Sequence, residues 1–457
     1  MPKSRDTLGQ ANNPTVARQL AIVVVLGLGT LVAGFLGYVL FLDRTPPQAV
    51  IRSDLTEVAD DVPISFSAHE SRDNPGILSY RWSFGDGTSG TGAEANHAYS
   101  EPGRYEVALT VRDLAGNEGT ATRVVLVRQY WVDDFWRTSS PAGQGMDEAR
   151  LQSMMETIER GQHAIHSVIV IRHGHIVWEE YLRGWRPHRL HEIQSCTKSF
   201  TSVLIGIAIR QGLIESVDQR MVDFFPEHTI ANLDERKERI TLEHLLTMSV
   251  GMDWHELDYP YDDPRNTLGQ MWVSDDAVQH CLDRPMVSEP GEAWAYNSGT
   301  SIILGGILEQ VTGQNVNAWA REVLFDPIGI SDVNWAMVAG GHYHTDGGLF
   351  MRPRDMARLG YLMLMDGAWD GQPIVSPEWV EASTRAHYRM PWGEGYGYQW
   401  WTLPRTDVFM ATGHYDQRIY VSPEYDLVAV FTAHIEDEDP HPTEDWMRRY
   451  VLAACVR

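Results

Sequence analysis

The sequence is poor in cysteine and in lysine, and each shortage narrows what the protein can be. Its 457 residues include only three cysteines, Cys196, Cys281 and Cys455. Three thiols are too few for a disulfide framework and lack metal-ligand spacing, so we interpret them as core residues. The chain also has only three lysines, and one of them, Lys198, follows Ser195 by three positions. A lysine at that position requires an explanation.

Positive charge is also scarce overall. The formal net charge is −25 at pH 7, which argues against binding to nucleic acid or to an anionic membrane surface. With 43% hydrophobic and 22% charged residues, the composition is that of a folded protein, and the length exceeds the usual limit for one core. We therefore expect two or more domains and no nucleic-acid partner.

Charge is absent altogether from residues 19–42, QLAIVVVLGLGTLVAGFLGYVLFL. At about 1.5 Å per residue this run can cross a bilayer core of about 30 Å, which predicts one transmembrane helix. Lys3, Arg5 and Arg18 precede it, so the positive-inside rule predicts a single-pass protein of the cell membrane, with residues 1–18 cytoplasmic and the rest extracellular. A cleaved signal peptide is the alternative, but the sequence after the run lacks a small-residue cleavage site.

Residues 46–128 contain short runs in which apolar and polar residues alternate, such as VPISFSA and RYEVALTVRD. This period, with turn residues between the runs, predicts an antiparallel β-sandwich. The stretch WSFGDG, which begins at Trp82, resembles the signature of polycystic-kidney-disease-type (PKD) domains. That resemblance implies an extracellular Ig-like spacer or adhesion module, with a cell-surface partner and no catalytic residue. From the residues alone, Asp86 is expected to cap its own turn.

Residues 129–145 lose the alternation and end in Ser, Pro and Gly, which predicts a linker. The remaining region, residues 146–457, begins with a helix and a strand hairpin around His173 and Gly174. It continues with helices that end at glycines and returns to strands near its C-terminus. Strands at both ends predict an α+β fold, in which one antiparallel sheet built from both ends is flanked by helices and an inserted helical region.

Ser195 and Lys198 lie in HEIQSCTKSF, just before an apolar run that is typical of a buried helix. At positions i and i+3 of a helix the two side chains lie on one face. An apolar setting would disfavour the charged form of Lys198 and make it a usable base, whereas an arginine would stay protonated. The alternative is a helix-capping Ser195 beside a solvated Lys198, because a Ser-x-x-Lys pair arises by chance in about one such chain in five.

Two later stretches offer partners for this pair. Tyr296 lies in a Pro-Gly-led loop before a helix, and a phenol beside an ammonium could lose its proton well below its usual pKa of about 10 and act as a base. Taken alone, however, Tyr296 is more often a packed aromatic residue. His414 precedes a strand in TGHYDQRIYV, where a backbone N–H could bind an oxyanion and His414 could contact the substrate.

Taken in this order, the three stretches resemble those of serine β-lactamase-like hydrolases, a family of class C β-lactamases, DD-peptidases, esterases and 6-aminohexanoate-dimer hydrolases. The resemblance implies that Ser195 is an acylated nucleophile, Lys198 its activating partner and Tyr296 a base or proton shuttle. It also implies an oxyanion hole formed by the backbone N–H groups of Ser195 and Gln417. The substrate would be a small molecule or short peptide with an ester or amide bond, and no metal or cofactor is implied.

Two positions depart from the family pattern. Ser298 replaces the usual asparagine of the second motif, which is closer to the 6-aminohexanoate-dimer hydrolase and esterase branch. Asp416 replaces a glycine beside the strand, and its carboxylate is expected to repel an anionic substrate such as a β-lactam. The residues predicted to bind substrate are Asn297, Ser298, His414, Tyr415 and Asp416.

The main hypothesis is therefore a membrane-anchored extracellular serine hydrolase, and the alternative is an inactive scaffold that binds at the cell surface. Aromatic residues are candidates for an apolar acyl pocket, although core packing explains most of the 16 tryptophans. The stretch DWHELDYPYDDP predicts a long loop near the site, with Tyr259 and Tyr261 as candidate substrate contacts. The tryptophan candidates are Trp254, Trp272, Trp294, Trp392, Trp400 and Trp401.

Overall fold

The computed structural model describes residues 43–53, 57–59, 64–74, 76–100, 103–128, 136–436 and 442–456. The chain divides into two compact units, Met1–Asp134 and Phe135–Arg457. The predicted cytoplasmic segment and the predicted transmembrane helix, which together make up residues 1–42, lie outside the described residues. Among the residues that are described, no helix is both long enough and apolar enough to span a membrane.

The first unit is built from two β-sheets. Its strands are β1 (Arg52–Ser53), β2 (Glu57–Ala59), β3 (Ile64–Ser67), β4 (Ile77–Ser83), β5 (Ser89–Thr91), β6 (Glu94–His97), β7 (Gly103–Asp113) and β8 (Glu118–Arg128). One sheet has the order β1-β3-β6 and the other β2-β8-β7-β4-β5, and only the pairing of β2 with β8 is parallel. Phe66 and Trp82 pack in a common core, with ring centroids 5.8 Å apart.

The WSFGDG stretch forms a tight turn after β4. Asp86 Oδ1 accepts hydrogen bonds from the Thr88 backbone N–H at 2.9 Å and from Thr88 Oγ1 at 2.6 Å. Gly85 has a φ of 88°, and a Cβ at this position would lie 2.9 Å from the Glu106 carbonyl oxygen, so both the conformation and the close approach require glycine. The expectation that Asp86 caps its own turn is confirmed.

The second unit is organised around one large sheet. Its strands are β9 (Arg137–Thr138), β10 (Ile165–Arg172), β11 (His175–Tyr181), β12 (His191–Glu192), β13 (Val333–Trp335), β14 (Leu349–Met351), β15 (Ala368–Trp369), β16 (Gln372–Pro373), β17 (Tyr388–Arg389), β18 (Gly395–Tyr396), β19 (Trp401–Thr402), β20 (Phe409–Gly413), β21 (Gln417–Ser422) and β22 (Leu427–Ala433). The large sheet has the order β17-β18-β19-β20-β21-β22-β10-β11-β9, and β12-β14-β13 and β15-β16 form two small sheets. Strands from both ends of the unit therefore meet at β22 and β10, as the sequence predicted.

Helices cover both faces of this sheet. They are α1 (Glu148–Arg160), α2 (Thr197–Arg210), α3 (Glu235–Glu238), α4 (Leu242–Leu246), α5 (Thr267–Trp272), α6 (Ala277–Leu282), α7 (Ser298–Thr312), α8 (Val316–Ala320), α9 (Pro353–Leu364), α10 (Pro377–Thr384) and α11 (Pro442–Trp446). Along β10 the side chains alternate between two cores: Val168 and Val170 pack with α1 on one face. Ile169 and Ile171 pack with α2 and α7 on the other. The predicted α+β fold is confirmed for this unit.

Part of the predicted linker, residues 129–145, is structured. Arg137–Thr138 pairs in parallel with β11 as the edge strand of the large sheet. The Trp136 side chain is buried in the hydrophobic core, and Ala142–Gln144 forms one turn of 3-10 helix. The predicted linker boundary was therefore too far towards the C-terminus, because a two-residue edge strand leaves no alternating pattern in the sequence.

Candidate active site

Ser195 lies in a single 3-10 turn, Gln194–Cys196, which leads directly into α2. Gln194 has a φ of 52°, a left-handed conformation that costs about 1–3 kcal/mol and persists only where the surroundings fix it. One such constraint is Gly413 at the end of β20, because a Cβ on this residue would overlap the Ile193 carbonyl oxygen. The turn that carries Ser195 is thus packed directly against the backbone of β20.

Lys198 occupies the first turn of α2 and is only 3% exposed. Its Nζ donates to Ser195 Oγ at 3.0 Å and to the Asp346 carbonyl oxygen at 2.7 Å. No side chain caps the start of α2. The alternative of a helix-capping serine beside a solvated lysine is therefore wrong, because the ammonium is buried against the serine hydroxyl.

Tyr296 completes this group from the loop before α7. Lys198 Nζ lies 5.2 Å from the centroid of the Tyr296 ring, and Tyr296 lines the same cavity as Ser195. The ring also stacks on Trp401, with centroids 6.3 Å apart and planes inclined by 27°. The fold thus brings together three side chains that are up to 101 positions apart in sequence.

The protonation of this pair differs from the expectation. Burial lowers the pKa of Lys198, but its interactions with Tyr296, Asp346 and Glu256 outweigh this effect, and the pKa of the lysine is raised. For Tyr296, burial raises the pKa by more than the Lys198 ammonium lowers it. The expected fall of both pKa values is therefore wrong, and both groups hold their protons at neutral pH.

Asn297 and Ser298, which were predicted to bind substrate, are 3% and 1% exposed. Asn297 Oδ1 accepts a hydrogen bond from the Thr300 backbone N–H at 3.3 Å and so caps α7. Ser298 Oγ donates to Glu256 Oε1 at 2.7 Å. Asn297 thus satisfies the start of its own helix, and Ser298 is bonded to a buried carboxylate, so a contact of these two side chains with substrate stays a prediction.

The turn between β20 and β21 carries the third motif, and its side chains diverge. His414 lines the same cavity as Ser195. Tyr415 lines a different cavity, and its ring stacks on His434 with centroids 4.1 Å apart. Of these two predicted substrate-binding residues, only His414 is on the Ser195 side. The φ of Tyr415, 58°, turns its side chain out of the strand alternation that the sequence suggested.

Gln417 begins β21 beside the nucleophile turn. The Cys196 thiol donates to the Gln417 carbonyl oxygen at 3.5 Å, which places the two backbones next to each other. The Gln417 side chain is buried, and its Nε2 donates to the Ala433 carbonyl oxygen at 2.6 Å. The side chain is thus used to fix the start of the strand, and the backbone remains the part of Gln417 that is adjacent to Ser195.

Asp416 is directed into the protein rather than into the cavity. It is fully buried, its Oδ1 lies 2.7 Å from Arg418 Nη2, and its Oδ2 accepts from Thr443 Oγ1 at 2.9 Å. The expectation that this carboxylate binds or repels substrate is therefore wrong, since its charge is balanced inside the protein. One of the two departures from the family pattern that motivated an inactive scaffold is removed with it, and the altered second motif at Ser298 is the other.

A cavity of about 240 Å³ opens beside Ser195, Tyr296 and His414. Arg418 also lines it, but its side chain is 2% exposed and paired with Asp416. Among the described residues, the cavity thus offers aromatic walls and no unpaired permanent charge. The remaining lining residues are Leu257, Tyr261, Trp294, Trp392, Trp401, Thr412 and Gly413.

Some of the aromatic candidates fall outside this cavity. Trp254 and Trp400 are buried at 8% and 0% exposure and pack in the core. Trp272 contacts the ring of Tyr261 from outside, with centroids 5.7 Å apart. Tyr259 lies under the guanidinium of Arg265 and does not line the cavity. The sequence could not separate these residues from Trp294, Trp392 and Trp401, because all lie in similar aromatic stretches.

Two groups next to Lys198 were not predicted. One is the Asp346 backbone carbonyl, and the other is the buried carboxylate of Glu256, which contacts Ser298. The only signal for Glu256 was an acidic residue directly before a leucine and two positions after a tryptophan in the DWHELDYPYDDP stretch. Such a residue is usually solvated, and only its partner 42 positions later shows that it is not.

One group of three carboxylates in the described part of the chain has oxygen atoms within 4.8 Å of one another: Asp43, Asp73 and Asp113. They belong to the first unit. Asp113 also accepts two hydrogen bonds of 2.8 Å from the backbone and side chain of Asn117. None of the residues around Ser195 belongs to this group.

A serine hydroxyl beside a buried lysine and a tyrosine, on an α+β fold, defines a serine hydrolase site. A family model described as Beta-lactamase matches residues 148–454, and one described as PKD domain matches residues 44–127. The chain therefore belongs to the beta-lactamase family and carries a PKD domain before its catalytic unit. Its enzyme class is that of the serine hydrolases of this family.

Three relatives illustrate the match. A 6-aminohexanoate-dimer hydrolase from Paenarthrobacter ureafaciens is 25% identical over 300 residues, which cover 61% of this chain and 74% of that protein. Esterase EstB from Burkholderia gladioli is 25% identical over 199 residues, 40% of this chain and 50% of that protein. Collagenase ColA from Clostridium perfringens is 42% identical over 82 residues, but these are 18% of this chain and only 7% of that protein.

Solved structures share the fold. The octameric penicillin-binding protein homologue from Pyrococcus abyssi has a TM-score of 0.54 and 21% identity, with coverage of 67% of this chain and 78% of its own. EstCE1, a hydrolase with promiscuous acyltransferase activity, has a TM-score of 0.56 and 15% identity, with coverage of 66% and 97%. At these identities the likeness concerns the fold alone.

Proposed function

We propose that the protein hydrolyses ester or amide bonds through an acyl-enzyme on Ser195. The observation that carries this proposal is the 3.0 Å contact between Lys198 Nζ and Ser195 Oγ, with the Tyr296 ring centroid 5.2 Å from the same Nζ. These three groups supply a nucleophile, an activating base and a proton shuttle. Relatives named 6-aminohexanoate-dimer hydrolase and Esterase EstB support a hydrolase function, and the second name supports an ester bond.

The reaction starts when the Lys198–Tyr296 pair has lost one proton. The pair takes the proton of Ser195 Oγ as this oxygen bonds to the substrate carbonyl carbon, and the carbonyl π electrons move to the oxygen. Collapse of this tetrahedral oxyanion breaks the bond to the leaving group, which receives a proton from Tyr296 or Lys198. Water then repeats these steps on the acyl-enzyme, which releases the acid and restores Ser195.

We assign the oxyanion hole to the backbone N–H groups of Ser195 and Gln417. The support is the contact between the Cys196 thiol and the Gln417 carbonyl, which holds the start of β21 against the nucleophile turn. The tight packing of Gly413 on Ile193 likewise holds the end of β20 against the nucleophile turn. Two N–H donors fixed in this way stabilise the developing charge without reorganisation, and a single donor of this kind is worth about 10²–10³ in kcat.

The cavity favours an uncharged, apolar acyl group. Its walls are formed largely by Trp294, Trp392 and Trp401 with Tyr261, and an apolar pocket binds a substrate by removing apolar surface from water. The Arg418 charge is already balanced by Asp416, so an anionic substrate finds no free cation among the described lining residues. The proposed substrates are neutral small-molecule esters or amides, including short peptides of D-amino type.

We further propose that residues 19–42 anchor the protein in the cell membrane, with the catalytic unit outside. The support is the uncharged run and the basic residues Lys3, Arg5 and Arg18 before it. The PKD domain then lies between the anchor and the enzyme, where it can bind a cell-surface partner. Protease treatment of intact cells tests this arrangement: the catalytic unit should be cleaved from the surface, and its full protection would contradict the proposal.

Hydrolysis of p-nitrophenyl butyrate and labelling by a fluorophosphonate test the acyl-enzyme directly. We expect the detergent-solubilised full chain to be active and labelled, and S195A and K198R to lose at least about a hundredfold in kcat/KM. S153A, which changes an exposed serine on α1, is the matched control and should retain full activity. A wild-type protein that neither labels nor hydrolyses any ester would favour the inactive scaffold instead.

A further inference from the structure

Glu256 is a buried carboxylate in the loop between Met252 and α5, with 4% of the residue exposed. Three donors converge on it. Trp254 Nε1 and the Ser298 backbone N–H donate to Oε2 at 2.9 and 2.8 Å, and Ser298 Oγ donates to Oε1 at 2.7 Å. Such an arrangement satisfies an ionised carboxylate, which accepts hydrogen bonds and donates none. Burial raises the pKa of Glu256, and the Lys198 charge and the hydrogen bonds from Ser298 and Trp254 oppose this rise.

Two of these bonds act on the helix that follows Tyr296. Ser298 is the first residue of α7 and lies two positions after Tyr296. Because Glu256 holds both the N–H and the hydroxyl of Ser298, it fixes the start of α7 and the backbone that carries the Tyr296 phenol. A negative charge at the N-terminal end of a helix is also favoured by the helix dipole.

The Glu256 charge also affects the pKa of Lys198. The groups in direct contact with Lys198 Nζ are the Ser195 hydroxyl and the Asp346 carbonyl, and both are uncharged. A buried ammonium requires a compensating charge, and the Glu256 carboxylate raises the pKa of Lys198 in this way. The same charge raises the pKa of Tyr296.

Other titratable groups face the pair from the surrounding elements. The Asp346 side chain acts on Lys198 in the same direction as Glu256, and His344 Nε2 lies 3.6 Å from Asp346 Oδ1. The Tyr396 phenol, on β18, faces both Tyr296 and Glu256 and stays neutral because burial raises its pKa. Glu256 differs from these groups because it alone also holds the backbone next to Tyr296.

We propose that Glu256 is a positioning residue, which fixes Tyr296 through Ser298 and holds a buried negative charge at the start of α7, close in sequence to the Tyr296 phenol. This proposal rests on the acyl-enzyme function proposed above. It concerns a residue that touches neither the substrate nor Ser195, and it acts only through the groups that do.

The loop that supplies Glu256 also supplies a wall of the cavity. Leu257 and Tyr261 line the cavity, and Asn266 closes the loop by donating from Nδ2 to the carbonyl oxygens of Glu256 at 2.9 Å and Tyr259 at 2.7 Å. Asn266 therefore fixes the Glu256 backbone relative to the loop residues that line the cavity. The loop that forms this wall of the cavity is thus the same loop that carries the residue proposed to position Tyr296.

Two substitutions distinguish the effect of the Glu256 charge from the effect of Glu256 on the position of Tyr296. E256Q keeps the size of the side chain but removes the charge, so the rise of kcat/KM with pH should move to lower pH by about one unit. E256D keeps the charge but withdraws the carboxylate from Ser298, so its pH profile should stay in place while kcat falls about tenfold at unchanged KM. S298A keeps Glu256 and should leave the pH profile unchanged.

The outcomes distinguish this proposal from failure of the acyl-enzyme itself. Stoichiometric fluorophosphonate labelling of the wild type, absent in S195A, establishes the acyl-enzyme before any Glu256 variant is compared. An E256Q pH profile that coincides with the wild type would overturn the electrostatic part, even if the variant melts at lower temperature. If E256Q does not fold, E256D carries the test, and a wild-type kcat in E256D would overturn the positioning part.

Discussion

Asp416 and Arg418 form a buried ion pair, in which Oδ1 of the aspartate lies 2.7 Å from Nη2 of the arginine. Their side chains are 0% and 2% exposed, respectively. Asp416 has a φ of 68°, at the position where the family resemblance places a glycine. Asp416 therefore adopts a left-handed conformation that is unfavourable for a residue other than glycine. Its carboxylate neutralises the charge of Arg418, which lines the cavity.

Breaking this pair should destabilise the protein strongly. D416N leaves the buried Arg418 without its counter-charge, and we expect the free energy of unfolding to fall by about 3–5 kcal/mol. Urea unfolding followed by circular dichroism measures the change. D445N, which breaks the exposed pair of Asp445 with Arg449, is the control and should cost less than about 1 kcal/mol. Equal stability of the two variants would contradict the role of Asp416.

Activity should rise with pH above neutrality. The pKa values of Lys198 and Tyr296 are both raised, so at neutral pH the pair is fully protonated and cannot accept the Ser195 proton. As pH increases, the fraction with one proton removed grows, and kcat/KM should grow with it. Stopped assays between pH 6 and 10 on an ester that is stable in this range measure the profile. Y296F should lose both the rise and at least about a hundredfold in activity; a flat wild-type profile would contradict the assignment.

Trp392 should set the preference for long acyl groups. It lines the cavity but is 63% exposed, so W392A removes apolar contact area without opening the core. We expect KM for an octanoate ester to rise about tenfold and KM for an acetate ester to change little. V273A, at an 85% exposed position outside the cavity lining, is the control. An equal change for both esters would show that Trp392 does not contact the acyl chain.

Because of Lys237, the free energy of unfolding should depend on pH under alkaline conditions. Lys237 is fully buried, donates to the carbonyl oxygens of Ala231 at 2.7 Å and Leu282 at 2.9 Å, and burial lowers its pKa to about 8. Between this value and the unfolded value of about 10.4, the unfolded chain holds a proton that the folded chain has lost, so this residue's contribution to stability increases with pH.

The variant K237M isolates that contribution. The difference in unfolding free energy between wild type and K237M should move in favour of the wild type between pH 7.5 and 10.5, by at most about 3 kcal/mol. Other groups that titrate in this range, such as the buried cysteines, are present in both proteins and cancel. Parallel stability curves would show that the pKa of Lys237 is the same in the folded and unfolded protein, and would contradict the prediction.

Local patterns in the sequence predicted the elements of the site but not their orientation. The spacing of Ser195 and Lys198 was sufficient, because positions i and i+3 share a face both in a helix and in the 3-10 turn that leads into it. The strand hairpins and the Asp86 turn were equally local. Asp416 was misjudged because its direction depends on a left-handed backbone and on Arg418 and Thr443, which the sequence does not connect to it.

The protonation of the site could not be predicted for a related reason. The run that follows Lys198 in the sequence is mostly apolar and suggests a lowered pKa for the lysine. Its actual direction is decided by Tyr296, Asp346 and Glu256, which are 58–148 positions away in sequence. Burial alone gives the wrong sign here, since a long-range set of charges outweighs it.

The loop held by Asn266 has an evolutionary consequence. It carries the cavity residues Leu257 and Tyr261 together with Glu256, which contacts the start of α7. An insertion or deletion that reshapes the pocket for a new acyl group would at the same time displace Glu256. Changes of substrate and of working pH are thus expected to be inherited together in descendants of this sequence, and a library that varies this loop while fixing Glu256 and Asn266 would separate the two.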